Sequence, residues 1–486
     1  MASQYDKYET PIPGRYASPE LSRLFSARNR HSTWRKLWLQ LAKSQKELGI
    51  DTITPEALEE MEVHLKVTDG DYEVARVEEK RRRHDVMGHI HAFGAVAPAA
   101  AGQIHYGATS CFVTDNTELI LMRDALDMLT KKLAKAISNL SSFKSTAEPT
   151  LGRTHLKEAQ LVTVGKRAAH WAQDLMLDLH SIDQVLRELK FRGAQGTTGT
   201  QASFPEIFQG DSAKCDKLNE LLCKSFGFPA CYGLSSQTYA RNVDLIIANA
   251  VTGIGTSAQK IAGDIRLLAA FEEIDEPFEE FQIGSSAMPY KCNPASMRCE
   301  RICAHAVLLT SKQTILAITH ANQRLERTLN DSAARRTTIP EMMLLADAIC
   351  RGLDNVTSGL VVYPRLIAAH IQPKLPFMIT EPILMKLCAH GVSRQEAHEQ
   401  VRVLSNKATY VMKIEGKPND LISRFKGSDF FKPIWADLDD MLKPELYIGR
   451  SVELVDAYCG PGGPVEQALA PYMAYIESSS TAEFDV

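Results

Sequence analysis

Between Asp115 and Glu148 the chain carries no Gly or Pro, and apolar residues return at Leu119, Met122, Leu126, Leu129, Leu133, Ile137 and Leu140. Steps of three and four place them on one face of a helix, and at 1.5 Å per residue the segment predicts a rod of roughly 50 Å. Wide apolar faces predict further rods over about Glu158 to Arg192, interrupted only by Gly165, over about Ser236 to Glu273, over Ala295 to about Ala321, and from near Glu341 to the Tyr363-Pro364 junction. Apolar faces this wide have to be covered, so the rods are expected to bury one another in a bundle that also meets other subunits.

The flanks read differently. Ser18-Pro19-Glu20 and Thr54-Pro55-Glu56 each supply an N-cap, a Pro at the first helical position and an acid in the first turn, so the N-terminal part is expected to hold short helices. Beyond Pro364 short helices broken by Pro and Gly follow, one of them opened by a capping box from Ser393 to Glu396, and Ser478 to Val486 reads as a disordered tail. The expected fold is all-α: a long-helix bundle at 112–363 flanked by smaller helical domains at 1–111 and 364–486.

Composition narrows the function. With 486 residues, a net charge of -4 and one basic run, Lys80 to Arg83, offset by Glu78 and Glu79, the chain lacks the clustered cations of a nucleic-acid binder. No apolar run was expected to reach membrane-spanning length, which predicts a cytoplasmic protein with no membrane partner. Ten cysteines without a Cys-x-x-Cys fit reduced thiols better than a disulfide framework or a zinc site.

The candidate chemistry lies in the segments between rods. Gly284-Ser285-Ser286-Ala287-Met288-Pro289-Tyr290-Lys291-Cys292-Asn293-Pro294 puts two hydroxyls, an ammonium and an amide on a loop kept irregular by its prolines, able to close over an anion. Gly152-Arg153-Thr154-His155 places one His at the expected turn into the second rod, where it could donate a proton. Arg83-His84-Asp85 could bind an anion and orient the imidazole; His84 and His89 lack the spacing of a helical zinc pair, so no metal is assigned. Thr109 and Ser110 offer hydroxyls at the start of the first rod, where backbone N–H groups favour carboxylates and phosphates. Gly193 to Gln201 lacks the Walker and Rossmann patterns. Ser236 to Arg241 is expected to cap the third rod. Arg15 and Tyr16, and Arg324 to Arg336 with four arginines, suit bidentate recognition of phosphate.

Ser285-Ser286-x-Met-Pro-x-Lys291-x-Asn293 resembles the signature of the fumarase/aspartase lyase superfamily, and Thr154-His155-x-x-x-Ala-Gln resembles its second signature, with Lys157-Glu158 where the family usually shows Gln-Pro. Gly14 to Glu20, Arg83-His84-Asp85, Gln237-Thr238-Tyr239 and Glu326 to Arg336 point to the branch that acts on succinylated purine nucleotides. The resemblance implies two reactions, adenylosuccinate to AMP and the succinylaminoimidazole-carboxamide ribotide (SAICAR) to its carboxamide, each releasing fumarate. It implies a cofactor-free homotetramer with each site shared among three subunits. Ser285 would be the base, His155 the acid and Lys291 the carboxylate-stabilising cation. Arg15, Tyr16, Arg327, Ser332 and Arg336 would hold phosphate, and Arg83, His84, Asp85, Thr109, Ser110, Gln237, Asn293 and Arg301 the remainder. Cys292 replaces a basic residue, and Ala295-Ser296 resembles an insertion. An argininosuccinate-type lyase is the nearest rival, disfavoured by the arginine-rich set; an inactive structural relative is disfavoured by Ser285, His155 and Lys291 occurring together.

Overall fold

The computed structural model describes residues 6, 8–143, 147–288, 290 and 294–484, with the backbone alone of 294–296. Helix makes up 67% of it, in an all-α fold with only short strand pairs. The two Pro-initiated helices start as their sequences predict: Ser18 Oγ accepts from Leu21 N at 3.4 Å and Thr54 Oγ1 from Ala57 N at 3.1 Å. After them and between them run α1 (Ala27–Glu47), α2 (Asp69–Arg82) and α3 (Asp85–Val96).

The first rod, α4, spans Ser110–Ser141 and ends sooner than expected because the chain turns into a β-hairpin. That hairpin, β1 (Pro149–Thr154) against β2 (Lys157–Thr163), occupies what the periodicity assigned to the start of the second rod. Thr150, Leu151, Leu161 and Thr163 are buried, and the register shift between Leu151 and Arg153 falls at Gly152, where a Cβ would stand 2.4 Å from Gln160 O. His155 and Leu156 form the tip, with φ of 54° and 61°. Two consecutive left-handed residues make the tight turn that matches strand twist. Only then does α5 (Val164–Glu188) begin, capped by Thr163.

After α6 (Ser212–Phe226), α7 runs from Asn242 to Ala270. It opens later than expected because Ser236 turns its hydroxyl onto Thr238 O at 3.0 Å instead of capping a helix. The pair β3 (Ile274–Asp275) and β4 (Val361–Val362) joins the far ends of α7 and α9. Between them lie α8 (Pro294–Ala321) and α9 (Asn330–Ser358). The last rod starts well before Glu341 and passes through Pro340, whose absent N–H removes only the ladder bond to Arg336 O. Helix α7 packs on α5, α8 and α9, and α4 packs on α5 and α9, so the bundle core is lined by residues such as Leu126, Trp171, Ile254 and Leu345. In the C-terminal part α10 (Arg394–Ile414) starts at the predicted place, but Ser393 Oγ meets Gln395 Oε1 at 3.3 Å and the predicted capping box does not form.

One expectation on apolar length is corrected. Met297–Ala321 has a mean hydropathy of 1.3 and is long and apolar enough by length and composition to cross a membrane, because few charges follow Arg301 until Lys312. This helix packs along α7 and α9, yet Val307, Leu308, Ile315 and Ile318 remain exposed on it.

Candidate active site

At one end of the bundle the N-termini of α4, α7 and α9 converge on a buried lattice of charge. Arg241 donates to both Asp115 oxygens at 3.0 and 3.1 Å and to Asp331 at 2.7 Å, while Arg335 donates to Asp244 at 2.6 Å and to the Tyr239 hydroxyl. Tyr239 closes the lattice by donating to Asp244 at 2.5 Å and, through its backbone N–H, to Asp115 at 3.0 Å. Burial would raise the Asp115 carboxyl, but Arg241 and Arg335 hold it below its ordinary value. Charges this buried persist only when paired, so the lattice fixes the helix ends relative to one another.

Residues on the outer side of that lattice are the predicted substrate-binding ones. Arg83 ends α2 in the left-handed region at φ 59° and turns the chain so that His84 caps α3. His84 Nδ1 accepts from Met87 N at 3.4 Å, which leaves Nε2 to donate toward Ser110 Oγ at 3.3 Å. Asp85 pairs with Arg336 at 2.5 Å. Burial would raise the Asp85 carboxyl, but the Arg336 guanidinium and the Val86 N–H bring it below its usual value. Arg327 donates to Gln237 Oε1 at 3.0 Å and to Cys111 Sγ, and Gln237 N donates to Glu326 O at 3.2 Å. Thr109 is the N-cap residue of α4 but makes no cap bond, and Ser332 lies half-buried in the first turn of α9. The structure therefore brings Arg83, His84, Asp85, Thr109, Ser110, Gln237, Arg327, Ser332 and Arg336 to one end.

Arg15, Tyr16 and Arg301 form a second group. The Arg301 guanidinium lies 5.2 Å over the Tyr16 ring, Arg15 lies 5.9 Å from it, and the buried His305 ring tilts against it at 4.7 Å. Arg351, late in α9, donates to Tyr16 O at 2.6 Å. At 1.5 Å per residue, Arg351 and Arg336 stand about 20 Å apart along that helix, so one chain does not assemble the proposed phosphate set.

His155 and Ser285 are rooted at the other end. Glu273, just beyond α7, accepts from Thr150 Oγ1 at 3.1 Å and Arg153 Nη2 at 2.9 Å and so anchors the hairpin whose exposed tip carries His155. This places the root of the hairpin about 40 Å, the length of 29-residue α7, from the charge lattice. The Ser285 loop leaves the same end: Glu276 accepts from Arg298 N at 3.0 Å and Cys299 N at 3.1 Å, and Arg298 reaches Glu279 at 2.8 Å. Ser285 Oγ accepts from Ala287 N at 3.3 Å and Met288 N at 3.1 Å, which makes a local turn within the loop. Lys291 and Asn293 lie outside the described residues.

Sequence reasoning did not single out Cys111, His305 or the lattice carboxylates. Burial pushes the Cys111 thiol up to about 11, and burial with Arg301 lowers His305 to about 4. A polar residue on an otherwise apolar helix face is the signal that three of these gave: Asp115 on α4, His305 on α8, Asp331 on α9.

The sequence also matches known proteins. A family model described as "Lyase" covers residues 16–309, and one described as "Adenylosuccinate lyase C-terminus" covers 376–458. An adenylosuccinate lyase from Schizosaccharomyces pombe is 49% identical over 97% of this chain and 98% of its own length. The chain belongs to the adenylosuccinate lyase family. A member of that family from Saccharomyces cerevisiae is 48% identical over the same shares, and one from Pyrococcus abyssi 29% identical over 92% of this chain and 96% of its own. A fumarate lyase structure from Mesorhizobium, 22% identical, superposes with a TM-score of 0.78 over 94% of this chain and 100% of its own. Membership places the chain among lyases, and the solved structure shares its fold.

Proposed function

We propose that the chain eliminates fumarate from adenylosuccinate, leaving AMP, and from SAICAR, leaving its carboxamide. The observation that carries this reading is the pair of guanidiniums, Arg327 and Arg336, held with His84, Ser110 and Gln237 at one bundle end in a chain of this family. Two fixed cations beside hydroxyl and amide groups suit a phosphorylated, carboxylated nucleotide. Elimination needs a base for the succinyl C–H, an acid for the departing nitrogen and cations for the carboxylate that carries the carbanion's charge. Ser285, His155 and Lys291 take those roles. The N–H groups of Ala287 and Met288 already point at Ser285 Oγ, which is the arrangement that favours its alkoxide over its hydroxyl.

The assembly follows from the separation of the parts. The proton-transfer residues and the Arg336 group sit at opposite ends of rods about 40 Å long, so a complete site takes loops from different subunits. A homotetramer with sites shared among three subunits satisfies this, and the exposed apolar residues of α8 supply a face for association. The division at 111 and 363 is proposed from the change between short and long helices. Nine free cysteines among the described residues support a reducing, cytoplasmic setting.

The experiment is fumarate release from adenylosuccinate by purified protein, followed by absorbance. Steady release without an added metal or cofactor is expected. No release, or release from argininosuccinate alone, overturns the assignment.

A further inference from the structure

Outside the proposed site the structure holds two thiols in contact. Cys223 Sγ and Cys231 Sγ are 3.3 Å apart, and no other hydrogen bond joins two thiols among the described residues. Neither side chain has much room to leave. Cys223 is buried in the last turn of α6, whose end is locked by Gly227 at φ 70° and by Phe228 N donating to Cys223 O at 2.9 Å. Cys231 sits on a segment that exchanges two backbone bonds with Phe191, from Phe191 N to Ala230 O and from Tyr232 N to Phe191 O, both 2.9 Å. Its sulfur lies against Gly193, where a Cβ would come within 2.5 Å of it.

We propose that Cys223 and Cys231 are a peroxide-reactive pair that closes into a reversible disulfide. A disulfide needs its sulfurs about 2.05 Å apart, so an approach of about 1.3 Å is required, within reach of small rotations about the side-chain bonds. The order of events follows from the contact. With the Cys231 S–H turned toward Cys223 across the 3.3 Å contact, its hydrogen bond holds the Cys223 thiol below its ordinary value, and Cys223 is then the attacking thiolate. That thiolate attacks one oxygen of a hydroperoxide; the O–O bond breaks, Cys223 becomes a sulfenic acid, and the other oxygen leaves as hydroxide and takes up a proton. Cys231 then loses its proton, attacks the sulfenic sulfur and expels the second oxygen as water. Two thiols and one hydrogen peroxide give one disulfide and two waters, and an external thiol reverses the change. The Tyr232 end of the bridged segment leads to Gln237, so the crosslink ties α6 to the approach of a proposed substrate-binding residue.

The test uses the fully reduced, full-length protein and hydrogen peroxide in small molar excess. Samples are quenched by alkylation under denaturing conditions, digested without reductant and read by mass spectrometry. A Cys223–Cys231 linked peptide should accumulate before any other cysteine is oxidised, and dithiothreitol should return both thiols. In Cys231→Ser the link should vanish and a dimedone-reactive sulfenic acid should appear at Cys223. The proposal is overturned if both thiols of the natural chain stay alkylatable while other cysteines oxidise, or if Cys223 in the variant traps no dimedone. Should that variant fail to fold, the order of oxidation in the natural chain decides alone.

Discussion

The two ends of the bundle solve opposite problems. At the Arg336 end, five charged side chains and a tyrosine are buried and pair with one another, with Asp331 Oδ1 left without a partner, and the groups facing outward are held by that lattice at one remove. At the His155 end the chain offers an exposed hairpin tip and an irregular loop, each anchored at its root through Glu273 or Glu276 and open beyond it. The first is finished within one chain; the second presents its chemistry outward. The proposed binding groups, which must keep a fixed geometry, are fixed internally, whereas the proposed proton-transfer groups, which would close over a substrate, are open for another surface to complete.

The sharpest way to break this comparison is to disable each end separately. His155→Ala and Ser285→Ala should each lower turnover by about two to four orders of magnitude with substrate still bound, the usual scale for losing a general acid or base. A mixture of His84→Ala and His155→Ala chains, unfolded together and refolded, should regain activity that neither homogeneous variant shows. Mixed oligomers as inactive as their parents would place both residues in a site made by one chain.

Stability should divide along the same line. Arg335→Met leaves Asp244 buried with its guanidinium removed and should cost about 3–5 kcal/mol in urea unfolding. Arg336→Met, one residue on but exposed, should change stability by less than about 0.5 kcal/mol while weakening substrate binding. Equal losses would mean that the lattice is not the structural member.

His305 gives a smaller, pH-dependent effect. Its folded value of about 4 lies below the ordinary 6.5, so between those pH values the unfolded chain binds a proton that the folded chain refuses. The natural chain should therefore lose stability relative to His305→Asn as pH falls from 6.5 toward 4, by up to about 3 kcal/mol. Urea midpoints of both proteins at pH 7.5 and 5 check the sign. The smallest effect belongs to the hairpin tip: Leu156→Gly should relieve a left-handed residue and stabilise by up to about 1 kcal/mol. A loss of stability there would mean that Leu156 packs in the folded assembly.

Much of this was legible in the sequence. Long runs poor in Gly and Pro gave the rods, because a helix face repeats often enough to outweigh local noise. The hairpin was misread because Lys157 to Thr163 continues into a true helix and its alternation spans only a few residues. Pro340 suggested a helix start, yet one missing ladder bond is tolerated in a rod packed on two others. Arg324 to Arg336 was read as one basic segment, and nothing in its spelling separates Arg335, buried against Asp244, from Arg336, exposed beside Asp85. That distinction comes from rotation about the helix axis, which depends on where α9 begins. Neither could one chain's sequence show that Arg15 and Arg336 lie at different heights along α9.

The charge lattice also sets a timetable. Its members enter in the order Asp115, Tyr239, Arg241, Asp244, Asp331, Arg335, with Arg241 separated from Asp115 by 126 positions and from Asp331 by 90. At about 5–20 residues per second, the last member leaves the ribosome roughly ten to forty seconds after the first. Asp115 waits through the first half of that interval for Arg241, Asp244 waits through the second for Arg335, and the early apolar faces lack the last rods that cover them. The bundle therefore locks late in synthesis, and a chain stalled before Asp331 should be held by chaperones in place of folding piece by piece from its N-terminus.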